Sequence, residues 1–311
     1  MSDTHISFTG VDSLTYGVAE RDKCRQFWKD WGLQAVTQGT RDCFQTLDAS
    51  KVFLVDIDAD GYAPAIEAGS TLRELTFGVQ TEQDLATLKK LNITWQASTT
   101  DELVTIDPMG LQVRFHVSDR KPVQVTGSAI NTYDQIGRGA DQRTPVYAAA
   151  EPVNIGHCVL FCPDLDASLA FYRDQLGFVV SDYYPGTGYF LRCQQRGRHH
   201  DLFLLKTPDA KCGLNHVAFT VRDIHEVFGA GLALQRNGWG TQLGPGRHPV
   251  SSAYFWYFNN PCGGLAEYYS NDDYCTENWV SKEWVKSSEN FAEWAIDGGI
   301  DGESRRQHKT S

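Results

Sequence analysis

None of the eight cysteines, at positions 24, 43, 158, 162, 193, 212, 262 and 275, falls in a CxxC pair. Nothing in their spacing implies secretion, and buried free thiols in a reducing compartment are the expectation. No apolar run approaches membrane-spanning length. Residues 1–20, MSDTHISFTGVDSLTYGVAE, lack the basic start and apolar stretch of a secretory signal, so a cytoplasmic location is expected. Basic side chains are scarce: 28 Lys and Arg against 39 Asp and Glu give a formal charge of −11. An acidic surface is repelled by phosphate backbones and anionic lipid, which argues against nucleic acid or a membrane as the main partner.

What the chain does have is apolar material. Its 311 residues are 41% hydrophobic and 12% aromatic, enough for packed cores in two domains or one large one. The two halves look related. VNIGHCVLF reads as a strand and DLDASLAFYRDQLGF as an amphipathic helix ending at Gly177. The first half offers SLTYGVA and then ERDKCRQFWKDWGL, ending at Gly32. Both helices carry a late aromatic pair, Phe27–Trp28 and Phe171–Tyr172. RELTFGVQTEQDLATL (73–88) matches NHVAFTVRDIHEVFGAG (215–231), and DPMGLQVRFHVSD (107–119) matches NPCGGLAEYYSND (260–272). Three matches in one order point to an internal duplication. The polar, Gly-containing stretch near residues 120–147 reads as the connection, and 298–311 as a frayed end.

Three ligand-type residues sit on apolar, strand-like runs of the second half: His157 in NIGHCVLF, His216 in LNHVAFTV and Glu267 in GLAEYY. A lone histidine of this kind is more often a satisfied core residue. A buried, ionised, unpaired glutamate is rarer, because it costs on the order of several kcal/mol. One bound cation would stabilise all three. Two histidines and a carboxylate on one side of a metal form the facial triad of non-haem Fe(II) oxygenases. Zinc hydrolysis uses the same ligand types, so the ligands alone do not fix the chemistry. In the first half the matched positions are Glu74 for His216, Arg114 for Glu267 and, across a gap, Tyr16 for His157. Those three make no metal site, so one active and one structural half are expected. His199 and His200 in RGRHHDLFLL, and His248 and Tyr257 on an expected hairpin, add titratable groups to the active half.

The set Gly246, His248, Trp256, Tyr257, Asn260, Pro261, Gly263 and Glu267 resembles the signature of the type I extradiol ring-cleavage dioxygenases of the vicinal oxygen chelate (glyoxalase/bleomycin resistance/dioxygenase) superfamily. It departs at Trp256, where the pattern has an aliphatic residue or Phe, and an effect on pocket shape is expected. The resemblance implies an α+β fold of tandem βαβββ modules. Two duplicated vicinal-oxygen-chelate domains would each form a curved mixed sheet around a funnel. The implied parts are a non-catalytic module (1–125), a linker (126–147), a catalytic metal-binding module (148–275) and a C-terminal extension (276–311). His157, His216 and Glu267 would bind Fe(II), with Mn(II) an open alternative. His200 would match the acid–base histidine, with His199 as fallback. His248 and Tyr257 would match the pair that binds the substrate hydroxyls. The implied partners are a catechol-type aromatic diol and O2, in a homo-oligomer.

An apolar, uncharged diol is expected, because Arg247, Arg192 and Arg198 neighbour site residues rather than sharing their face. The rival readings are a glyoxalase-like or hydroxyphenylpyruvate-type metalloenzyme of the same superfamily, and a metal-free protein that binds aromatic ligands. Residues 275–296, with Trp279, Trp284 and Trp294, would cap the pocket, meet another subunit, or form a helix on their own domain.

Overall fold

The computed structural model describes residues 6–39 and 41–296. The polar end 298–311, expected to fray, lies outside them, as do His5 and His308. Strands β1 (Phe8–Val18), β2 (Gln34–Gln38), β3 (Arg41–Gln45) and β4 (Lys51–Asp56) with helix α1 (Arg21–Asp30) form one βαβββ unit. A second comprises β5 (Thr71–Val79), α2 (Glu82–Leu88), β6 (Trp95–Ser98), β7 (Glu102–Ile106) and β8 (Gln112–Val117). They share one sheet of order β2-β3-β4-β1-β5-β8-β7-β6, joined by the antiparallel pair β1/β5.

The second module repeats this plan. It has β9 (Asn154–Phe161), α3 (Leu165–Leu169, continued by a π-helical turn Ala170–Gln175), β10 (Val179–Tyr184), β11 (Gly188–Arg192), the short β12 (Gly197–Arg198) and β13 (Leu202–Leu205). Its other unit is β14 (Gly213–Thr220), α4 (Ile224–Arg236), β15 (Thr241–Arg247), β16 (Tyr254–Asn259) and β17 (Leu265–Ser270). The main strands run in the order β10-β11-β13-β9-β14-β17-β16-β15, the same plan as the first sheet. The α+β class and paired βαβββ modules expected from the sequence are what the fold shows. Local signals place the helices: Asp164 and Asp223 cap α3 and α4 by accepting from the N–H of Ala167 and Glu226.

The late aromatic pairs of the helices join the modules. Trp31 stacks on Tyr268 at 3.7 Å and accepts its hydroxyl at the carbonyl, 2.7 Å away. Trp28 also packs on Phe219 of the second module. Reciprocally, Tyr172 and Phe178 pack on Phe77 of the first, and the Tyr172 hydroxyl donates to Asp107 at 2.9 Å. Burying these rings gives one continuous apolar core through both modules.

Register corrects one sequence match. His157 lies opposite Ala218, two residues beyond His216. The residue two beyond Glu74 is Thr76, and its partner is Ser13, whereas Tyr16 pairs with Leu72. Ser13, not Tyr16, therefore holds the place of His157; bulges in β1 shift the alignment by more than the sequence match allowed.

The segment after β17 is not a helix. β18 (Tyr274–Cys275), β19 (Lys282–Glu283), a single turn α5 (Ser288–Phe291) and β20 (Trp294–Ala295) form an extended strap. β19 pairs with β10 and β20 with β15, so one strap covers both outer edges of the second sheet. None of the described helices is long and apolar enough to cross a membrane.

Candidate metal centre and active site

The second sheet wraps a cavity of about 570 Å³. Alternation along the strands sends His157, His216 and Glu267 inward from β9, β14 and β17. These strands are neighbours, so the side chains meet. His157 Nε2 lies 3.3 Å and His216 Nε2 3.2 Å from Glu267 Oε2, and the two nitrogens are 3.3 Å apart. Among the described residues these three form the one His/Cys/Asp/Glu group that could hold a metal ion.

The triangle fits an ion. Two ligands about 2.1 Å from one centre lie about 3.0 Å apart at right angles and about 3.4 Å apart at the tetrahedral angle. The observed edges fall between, with all three ligands on one side. The donor chemistry agrees. Asn215 Oδ1 lies 2.6 Å from His216 Nδ1, which therefore carries the proton and leaves a bare lone pair at Nε2. Glu267 Oε2 is fully buried without a hydrogen-bond donor. A lone pair facing an orphaned carboxylate oxygen is repulsive unless a cation lies between them. Burial raises the Glu267 carboxyl, and the facing imidazoles of His157, His216 and His248 hold it well below the usual carboxylate range only as donors, a role a bound cation takes over from their lone pairs. Burial pushes the His216 imidazole down, so it stays neutral and able to ligate.

Gly156 makes room for this arrangement. A Cβ there would lie 2.0 Å from the hydroxyl of Tyr269, whose ring packs on His157 at 4.9 Å. The hairpin turn is built for a close approach as well. Gly263 has φ +111°, and a Cβ on it would lie 2.3 Å from the Ser70 carbonyl of the first module. The turn brings Tyr257 directly opposite Glu267 in the β16/β17 ladder.

His200, His248 and Tyr257 line the same cavity. His248 Nδ1 lies 2.6 Å from the Phe291 carbonyl, and its Nε2 is 3.0 Å from the Tyr257 hydroxyl. Its ring stacks on Phe255 at 4.0 Å. Burial, then the Glu267 charge, pushes the Tyr257 phenol well above its ordinary value, so it stays protonated. His200 packs on the His157 ring at 4.0 Å, and burial, then His157, pushes its imidazole well down. His199 does not reach the cavity; it is fully buried behind His200.

The remaining wall is mostly apolar, including Val159, Phe190, Phe203, Leu243, Val250 and Phe291, with Lys286 and Asp272 among its polar members. Tyr184 and Phe190 line it, but Trp256 does not. Tyr257 faces in, so Trp256 faces out, packed on Phe228 of α4 with its Nε1–H donating to Thr241 at 3.0 Å. The departure from the signature thus shapes the outer packing, not the pocket. Sequence reasoning missed Asn215 and Phe291. Asn215 precedes a candidate ligand and was findable; Phe291 acts through a backbone carbonyl that no side-chain pattern reveals.

In the first module the equivalent positions close on each other. Arg114 binds Glu74 at 2.8 Å, and Gln112 adds a bond of 2.6 Å to the same oxygen. A carboxylate thus stands where the second module has His216, and an arginine where it has Glu267, and the two neutralise each other.

Residues 154–268 match the family model of the Glyoxalase/Bleomycin resistance protein/Dioxygenase superfamily. The matched stretch holds the whole triad. Metapyrocatechase 2 of Cupriavidus necator is 31% identical over 162 residues, 51% of this chain and 49% of that protein. The chain thus spans about half the length of the curated relatives it matches. Among solved structures, the Mn(II)-bound glyoxalase from Novosphingobium aromaticivorans superposes with a TM-score of 0.74 at 23% identity, over 96% of this chain and 94% of that one. BphC, a halotolerant catechol dioxygenase, gives 0.68 at 18% identity, over 96% of both chains. The fold is that of the two-module extradiol dioxygenases.

Proposed function

We propose that this chain opens the ring of a catechol-type diol beside its hydroxyls, consuming O2, at a mononuclear Fe(II) held by His157, His216 and Glu267. The observation that carries this reading is that the triad shares one cavity with His200, His248 and Tyr257. When bound, the ion would supply Lewis acidity toward the diol and a path for its electrons to O2. Mn(II) accepts the same ligands, and which metal serves is decided by reconstitution.

The side chains handle protons and position. One carboxylate among three ligands offsets only part of a dication, so the site favours a diol that gives up protons. Tyr257 donates its hydroxyl proton to His248 Nε2, which leaves its oxygen free to accept from a diol hydroxyl. A proton arriving there is matched by one passed to His248. His200 faces the cavity from the turn between β12 and β13 and offers a second site where a proton is held and returned to oxygen. The carbon–carbon bond beside a hydroxylated carbon breaks, and both atoms of O2 enter the ring-opened product. The apolar walls exclude competing water.

The substrate is an uncharged diol with an apolar substituent. The cavity exceeds the needs of a bare catechol ring. Lys286 is the one cation among the lining residues, and the arginines near the site are engaged elsewhere. Arg247 binds Glu293, Arg198 binds Asp272 at 2.6 Å, and Arg192 donates to Ser181 at 2.8 Å. We further propose that the first module is structural, its ligand positions being filled by the Glu74–Arg114 pair.

The test is anaerobic reconstitution with Fe(II), then air and a panel of catechols. A yellow ring-fission product, formed fastest from apolar-substituted diols, is expected. A chain that holds one iron firmly and turns over no diol would overturn the reading and favour an isomerase of the glyoxalase type.

A further inference from the structure

Two buried groups behind His200 have no part in the function proposed above. His199 is 0% exposed, and Asp182, on β10, is 3% exposed. His199 Nδ1 lies 3.1 Å from His200 Nδ1, and His199 Nε2 lies 3.4 Å from Asp182 Oδ2. The Asp182 oxygens also accept from the strap: Oδ1 from the Lys282 N–H and Oδ2 from the Trp284 indole, each at 2.8 Å.

We propose that Asp182 and His199 are positioning residues that hold His200 as the tautomer with its proton on Nδ1 and its Nε2 lone pair open to the cavity. Two imidazole nitrogens 3.1 Å apart need one proton between them. If His199 supplied it, its own Nε2 lone pair would face the Asp182 carboxylate, with no donor between two acceptors. If His200 supplies it, His199 Nε2–H lies 3.4 Å from Asp182 Oδ2, a charge–dipole contact and not a formed hydrogen bond, but one of favourable sign. The carboxylate decides between the two. Asp182 is itself fixed by two donors from the strap, so the ordering reaches from Lys282 and Trp284 through His199 to His200. His200 then meets substrate or oxygen as a proton acceptor at Nε2, and a proton taken there is shared with a chain that ends on a carboxylate. This also separates the adjacent histidines: His200 touches the cavity, and His199 sets its orientation.

The kinetic half of this proposal rests on the dioxygenase reading; the tautomer does not. The first measurement is long-range 1H–15N NMR of the metal-free, 15N-histidine-labelled full chain, with His200 assigned by the loss of its signals in His200→Gln. Wild type should show His200 protonated at Nδ1. His199→Leu should lose that preference. His199→Gln, whose amide offers one donor and one acceptor, should keep it. In the Fe(II)-loaded chain, His199→Leu should lower kcat about 10- to 100-fold with little change in KM, and His199→Gln should recover most of the loss. A wild-type His200 protonated at Nε2 overturns the proposal without any variant. So does a leucine variant with unchanged tautomer and kcat, or a glutamine variant no better than leucine. If wild type turns over no diol, the dioxygenase reading falls while the tautomer still decides this one.

Discussion

His248 donates its Nδ1 proton to the Phe291 carbonyl across 2.6 Å, so a residue on the C-terminal strap sets which nitrogen faces Tyr257. A carbonyl only accepts, which leaves Nε2 as the acceptor for the Tyr257 hydroxyl. Ending the chain at Lys286 removes Phe291 and the β20 edge strand. Metal content should be unchanged, because no candidate ligand is lost. The kcat/KM for a diol should fall about tenfold or more, as for other losses of an orienting partner. Metal analysis and steady-state kinetics on the shortened chain check both halves.

On the proposed reading, the Glu74–Arg114 pair makes the first module structural. Glu74 is 3% exposed, so Arg114→Leu strands a buried carboxylate with only Gln112 and should destabilise the chain. The expected loss is about 2–3 kcal/mol, below that for a fully buried pair, because Arg114 is partly in water. Adding Glu74→Leu should restore most of it, and neither variant should alter bound metal. Urea unfolding with metal analysis reads this; metal loss in Arg114→Leu would mean the first module does contribute to the site.

Metal binding should stabilise the fold by mass action. Anaerobic Fe(II) or Mn(II) at 100 times its dissociation constant should add about 2.7 kcal/mol against unfolding. His216→Ala and Glu267→Gln should lose most of this response while keeping the fold. Thermal unfolding with and without metal separates the cases, and an equal response in His216→Ala would remove that residue from the ligand set.

Asp107 couples stability to pH at the contact between modules. Burial pushes its carboxyl up to about 6 in the folded chain, despite the Tyr172 hydroxyl donating to it. The unfolded carboxyl titrates about two units lower, near 3.9. The folded chain therefore binds the proton more tightly, and stability is lost as pH rises through that window, by up to about 3 kcal/mol. An Asp107→Asn variant lacks this slope. Unfolding free energies of both chains between acid and neutral pH check it, and parallel curves would contradict it.

The triad was legible because each ligand interrupts an apolar strand, and charged or polar groups there need a reason. The paired βαβββ plan was legible from three ordered matches. Register was not: bulges in β1 move the His157 equivalent from Tyr16 to Ser13, and no composition signal reports a bulge. The side of the sheet Trp256 faces follows from the inward Tyr257 beside it, a period-two argument available once one residue of the strand is placed. The strap was the least legible part. Its loosely spaced tryptophans suit a helix about as well as an extended chain. They take their places by bonding other elements, as Trp279 does to the Ser181 carbonyl at 2.9 Å and Trp284 to Asp182.

The central claim is that one ion at His157, His216 and Glu267 couples a diol to O2. An oxygen electrode run beside product absorbance tests it most directly. Wild type loaded with Fe(II) should consume one O2 for each diol ring opened and release no peroxide. His216→Ala and Glu267→Gln, matched for folding, should consume none. Oxygen uptake without ring opening, or full turnover in either variant, would contradict the account.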